Sequence, residues 1–101
     1  MLAIGLVNRV VPAAAVVDEA VALAIAAKQL GCGGLMVLPP YVYSTDWREM
    51  KAHVSAVIGA TDLPCMLYNN PPAYKTDFLP EQVAELAAEH KNLEAIKESS
   101  G

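Results

Sequence analysis

Two residues in this sequence have the type and setting for covalent chemistry: Lys97, in "NLEAIKESSG" (92–101), and Tyr68, in "LPCMLYNNPP" (63–72). Each sits near the end of a short apolar run. A lysine turned into an apolar interior loses the hydration that favours its ammonium form, so its pKa should fall. The resulting neutral amine can attack a ketone and form a Schiff base. That reaction passes protons to and from a carbinolamine, and a phenol at the same height can relay them. Alternation along 93–98 puts Leu93, Ala95 and Lys97 on one face, and Glu94, Ile96 and Glu98 on the other. Plainer readings stand beside these: a lysine snorkelling at a strand end or paired with Glu98, and a tyrosine filling the end of a core with its hydroxyl satisfied. Spacing alone leaves both open. The pair on neighbouring strand ends says more than either residue.

The elements that would hold them follow a regular order. "LAIGLV" (2–7) reads as a short strand. "VVDEAVALAIAAKQLG" (16–31) reads as a helix ending on a lysine and a glycine. "GGLMVLPP" (33–40) is an apolar run stopped by prolines, as suits a strand buried on both faces, with Gly33 and Gly34 structural. In "STDWREMKAHVSAVIGAT" (44–61), Ser44, Thr45 and Asp46 offer N-caps, and Asp46 with Glu49 resembles a capping box. Trp47, Met50, Val54, Val57 and Ile58 form one apolar stripe. A second buried strand, 63–72, also stops at prolines. "LPEQVAELAAEHKN" (79–92) opens a helix with Pro80 and turns Val83, Leu86 and Ala87 inward. "LEAIKE" (93–98) closes the series.

Strand and helix alternate three times before a last strand. The strand ends near Pro39, Asn70 and Lys97 fall roughly 30 residues apart, the length of a strand–helix–strand unit. The expectation is an α/β fold of about four parallel strands with three intervening helices. Either a small open sheet or an arc of a (β/α)8 TIM barrel has this order. No glycine-rich phosphate loop follows the first strand, which removes the main support for a nucleotide-binding open sheet. The length of 101 residues could supply about half of a barrel of about 250.

Composition narrows the partners. Apolar residues make up 54% and charged residues 18%, enough for a core and against disorder. The net charge of −4 disfavours nucleic acid and anionic membranes; small soluble metabolites fit better. Cys32 and Cys65 read as buried thiols in a reducing cytosol, so the expected location is cytoplasmic. The N-terminal stretch lacks the basic region of a signal peptide, and Asp18 and Glu19 interrupt the apolar run that follows. His53 and His90 fall on helices away from the strand ends and read as solvated or partly packed. No metal, haem or nucleotide motif is present.

"DLPCMLYNNP" (62–71), then "NLEAIKESSG" (92–101), with "GGLMVLPPY" (33–41) before them, resembles the dihydrodipicolinate synthase and N-acetylneuraminate lyase family of pyruvate-utilising aldolases. The similarity runs from about residue 18 to the end. It implies a partial (β/α)8 barrel, the third to the sixth strand by position, in a single segment spanning 1–101. It implies that Lys97 forms a Schiff base with pyruvate or a related 2-keto acid, that Tyr68 handles protons, and that no metal or cofactor is needed. Tyr41 and Asn70 are candidate substrate-binding residues. Ile96 and Ser99 flank the lysine without an assigned role.

The departures from the pattern also count. The family's second tyrosine would fall at Val42, between Tyr41 and Tyr43. An arginine that binds the aldehyde substrate's carboxylate in dihydrodipicolinate synthases is replaced by Ala73. That favours a related enzyme, such as a 2-keto-3-deoxy sugar acid dehydratase or aldolase. The family's carboxylate-holding Gly-Thr-Thr-Gly-Glu stretch would lie upstream, so the chain is expected to be a fragment. Such a half-barrel exposes two strand edges and part of its interior. It would then self-associate as a homo-oligomer, and could be inactive. Residues 5–24 separately resemble a segment of crotonase-fold acyl-CoA hydratases, though nothing after residue 30 does.

Overall fold

The computed structural model describes residues 16–40 and 46–100. The strand expected at 2–7, the crotonase-like stretch up to residue 15, and Tyr41, Val42, Tyr43, Ser44 and Thr45 lie outside them.

Helix α1 spans Val16–Gln29, with Asp18 and Glu19 in its first turn and Lys28 in its last, charges that suit the helix dipole. It ends where Gly31 takes a positive φ of 88°. Strand β1 is Leu35–Val37. Gly34 before it has a steric reason: a Cβ there would lie 3.0 Å from the carbonyl oxygen of Pro64.

Helix α2 spans Trp47–Gly59 and buries Met50, Val54, Val57 and Ile58, the expected stripe. Trp47 meets Phe78 edge-on, with ring centroids 6.2 Å apart. Asp46 occupies the N-cap position but makes no side-chain cap bond, so the expected capping box with Glu49 does not form. The Asp46 carboxylate lies 3.6 Å from Arg48 Nε instead.

Strand β2 is Cys65–Asn69, followed by a single-turn helix α3, Pro71–Tyr74. Helix α4, Pro80–Glu89, carries Pro80 in its first turn, and Gln82 Oε1 accepts the Leu79 N–H at 2.9 Å. It buries Leu86, with Val83 packed beside it. Ala87, expected on the inner face, is exposed; one side chain per turn suffices for so short a helix to dock. Lys51 of α2 pairs with Glu85 and Glu89 of α4, tying the two helices together on their outer side.

Strand β3, Leu93–Glu98, completes a parallel sheet ordered β1-β2-β3. The core lies between one sheet face and the helices, where Val37, Cys65 and Leu67 meet Ala24, Met50, Val54, Ile58 and Leu86. The other face carries Met36 and Ala95, both exposed, and half-buried Met66. The strands are therefore covered on one side among the described residues, not on both as expected.

One irregularity sets the faces of β3. Cys65 pairs with Leu93, but Met66 pairs with Ala95, so Glu94 is an extra residue in the ladder. The bulge corrects the expected alternation. Leu93 joins the core with Cys65, while Ala95 and Lys97 turn to the open face. Asn92, just before β3, secures the junction: its Nδ2 lies 3.0, 3.0 and 3.1 Å from the carbonyl oxygens of Ile58, Thr61 and Leu63.

Candidate active site

The register of β2 against β3 sets Tyr68 directly beside Lys97 at the C-terminal ends of both strands. Side chains alternate across a strand, so the pair stands on the open face with Met66 and Ala95. Lys97 Nζ lies over the Tyr68 ring, 5.0 Å from its centroid. The structure brings the two side chains together at one end of the sheet. Their surroundings differ from the expectation. Lys97 is exposed, not enclosed in an apolar interior, because the open face has no second layer among the described residues.

Tyr68 is held by more than the lysine. Asn70 Nδ2 donates to its phenolic oxygen at 3.0 Å. Tyr74 packs edge-on against its ring at 5.8 Å. The hydrogen bond from Asn70, a second from the Ser99 side chain, and the positive charge of Lys97 favour the phenolate, and together they lower the Tyr68 pKa below its ordinary value. Ser99 is a residue that sequence reasoning passed over. Its backbone N–H bonds the Asn69 carbonyl oxygen at 2.9 Å, which extends the β2–β3 pairing past Lys97 and fixes where its side chain begins.

Asn70, a candidate substrate-binding residue, stands beside the pair of Tyr68 and Lys97: its amide donates to Tyr68 and caps α3. Tyr41, the other candidate binding residue, falls outside the described residues.

Asn69 was also missed, although it belongs to the same "YNNP" motif. It points to the helix side and is 2% exposed. Its Nδ2 donates to Asp77 at 2.9 Å and to Glu98 at 3.0 and 3.3 Å, and its Oδ1 accepts the Phe78 N–H at 3.1 Å. One buried amide thus ties the end of β2 to β3 and to the loop before α4. The signal available in the sequence was a polar residue at a core position of the strand, two after Leu67.

The other titratable candidates stand apart. The Cys65 thiol donates to the Leu63 carbonyl oxygen at 3.4 Å, and burial, aided by the charge of Glu94, pushes its pKa up. Cys65 is buried and Cys32 half-buried, and both are free. Burial lowers the His53 pKa. No group of three or more His, Cys, Asp or Glu residues among the described ones could hold a metal ion. No helix among them is long and apolar enough to cross a membrane.

This arrangement can be set beside known proteins. A family model described as the dihydrodipicolinate synthetase family matches residues 11–101. The chain belongs to that family. It is 38% identical over 84 residues to the 4-hydroxy-tetrahydrodipicolinate synthase of Agrobacterium fabrum, covering 83% of this chain and 29% of that protein. With the synthase of Geotalea daltonii the identity is 43% over 83 residues, covering 82% of this chain and 28% of the relative. Among solved structures, the synthase of Methylacidiphilum fumariolicum superposes with a TM-score of 0.78 at 32% identity, over 84% of this chain and 28% of that one. A prophage protein of the dihydrodipicolinic acid synthase family from E. coli K12, in complex with pyruvate, gives 0.76 at 30% identity, over 81% and 28%. The chain spans less than a third of the length of these dihydrodipicolinate synthetase relatives. The three parallel strands among its described residues, with their helices, are part of a (β/α)8 barrel.

Proposed function

We propose that this chain carries the Schiff-base centre of a class I aldolase-type lyase acting on pyruvate or a related 2-keto acid. The observation that carries the reading is the placement of Lys97 beside Tyr68, with Nζ 5.0 Å from the ring centroid, at the strand ends where barrel enzymes gather their chemistry. Membership of the dihydrodipicolinate synthetase family supports it, as does the related prophage protein in complex with pyruvate.

In this reading the neutral Lys97 amine adds to the keto carbon, and the nitrogen gives up a proton as the carbinolamine forms. The alkoxide formed on attack takes a proton from solvent. Tyr68 takes the nitrogen's proton and passes it to the resulting hydroxyl, which leaves as water as the nitrogen lone pair forms the protonated iminium. The iminium then draws electron density from the neighbouring carbon, so a proton or a carbon–carbon bond there can be broken or formed. The barrel portion would be the third to the sixth strand.

Ala73 favours a particular substrate range. It stands exposed on α3, and a methyl group offers no charge to an aldehyde substrate's carboxylate. A 2-keto-3-deoxy sugar acid dehydratase or aldolase is therefore the second reading. The outer strands β1 and β3 and the open face suit association with further copies, and an inactive, self-associating half-barrel is the reading to beat.

Exchange of the pyruvate methyl protons in D₂O separates the catalytic readings from the inactive one. Catalysed exchange, lost in Lys97→Ala, is the expected result, because it requires the enamine. Exchange no faster than in buffer would overturn the catalytic reading for this chain.

A further inference from the structure

The one-turn helix α3 has an unusual start. Its first two residues, Pro71 and Pro72, have no N–H, so the first backbone donor needing a partner is that of Ala73. Asn70 at the N-cap accepts it, with Oδ1 at 3.3 Å. That bond decides which way the amide faces. With Oδ1 committed to a backbone donor, the other end of the amide is Nδ2, and it lies 3.0 Å from the Tyr68 phenolic oxygen. A carboxamide nitrogen can only donate, so the phenolic oxygen must accept.

We propose that Asn70 is a positioning residue, whose cap of α3 fixes its amide as a donor and thereby keeps the Tyr68 oxygen an acceptor beside Lys97. The far end of the same helix completes the arrangement. Tyr74 packs edge-on against the Tyr68 ring at 5.8 Å. Lys75, with a φ of 59°, ends the turn by donating its N–H to the Pro71 carbonyl oxygen at 2.9 Å. A four-residue helix thus holds the phenol at two places, its oxygen and its ring. The consequence for chemistry rests on the proton-relay reading of Tyr68. A hydrogen bond donated to the phenolic oxygen stabilises the phenolate, the form a relay needs to take a proton as each carbinolamine forms. The direction of the Tyr68 pKa, lowered first by the Asn70 bond, agrees with this. Among the described residues, the titratable groups facing Tyr68 are Lys97 on β3 and Tyr74 on α3. Glu98 is turned to the other side of the sheet, against Asn69.

The test separates capping from donation. Tyrosines labelled with ¹³C at Cζ are titrated by NMR in the whole chain, with Tyr68→Phe assigning the resonance. The expected midpoint for Tyr68 is the lowest of the resolved tyrosines. Asn70→Asp keeps a good N-cap but replaces the donor with an acceptor, and should raise that midpoint by about one pH unit or more. Asn70→Ala should raise it less. If Asn70→Asp leaves the midpoint where it was while α3 stays formed, Asn70 is only a cap and the proposal fails. A normal Tyr68 midpoint in the unaltered chain would overturn it too. No keto acid is present in this titration, so its outcome is independent of whether Lys97 forms a Schiff base.

Discussion

Asn69 and Glu98 stand opposite one another in the β2–β3 ladder, and the Asn69 amide donates to both carboxylate oxygens of Glu98, at 3.0 and 3.3 Å. The next pair back, Tyr68 and Lys97, projects from the other face. One register therefore does two things. On the helix side it locks the strand ends together through a buried amide; on the open side it sets a phenol beside an amine. The position of the lysine depends on the structural pair behind it.

Replacing Asn69 with alanine should therefore be costly. The Phe78 N–H would lose its side-chain acceptor, and Asp77 and Glu98 their shared donor. A buried donor left unsatisfied, together with the lost bonds, should reduce stability by about 2–3 kcal/mol. Urea unfolding measures it. A loss below about 1 kcal/mol would show that the network is dispensable.

His53 gives stability a pH dependence. Its Nδ1 is buried without a hydrogen-bond partner among the described residues, and burial holds its pKa below the ordinary 6.5. As pH falls through 6.5 the unfolded chain takes up the proton before the folded one, so the contribution is full above that value and declines below it. The urea midpoint should drop between about pH 7.5 and 5.5, and His53→Leu should flatten that drop. An identical slope in the variant would assign the effect elsewhere.

Tyr68→Phe tests the relay apart from the nucleophile. The ring and its contact with Tyr74 remain, while the proton-carrying oxygen is removed. Pyruvate methyl exchange should slow about 100-fold, the low end for loss of a general acid–base group, and a borohydride adduct should still form on long incubation. Exchange at the unaltered rate would remove Tyr68 from the mechanism.

Much of this was legible in the sequence because the signals were periodic. Met50, Val54, Val57 and Ile58 recur with the helical period, and a buried stripe followed. Pro80 opens its helix, and the runs ending near Asn70 and Lys97 placed Tyr68 and Lys97 at one height. What escaped was local. The extra residue at Glu94 carries no mark in "LEAIKE", yet it moves Leu93 to the core and away from the face of Lys97. The helix α3 is too short to show a period, so the orientation of Asn70 could not be read. Ser99 acquires its partner from the neighbouring strand, which a one-dimensional pattern does not contain. Expectations about burial failed for a common reason: the sequence suggests enclosure for β1 and Lys97, whereas the face they share is open among the described residues.

The most direct test of the central claim is borohydride trapping with pyruvate, read by intact mass and peptide mapping. The account predicts one stable adduct, on Lys97, that is absent in Lys97→Ala. No adduct, or adducts spread over the other lysines, would contradict it, and the chain would then be a piece of the family barrel with no activated amine of its own.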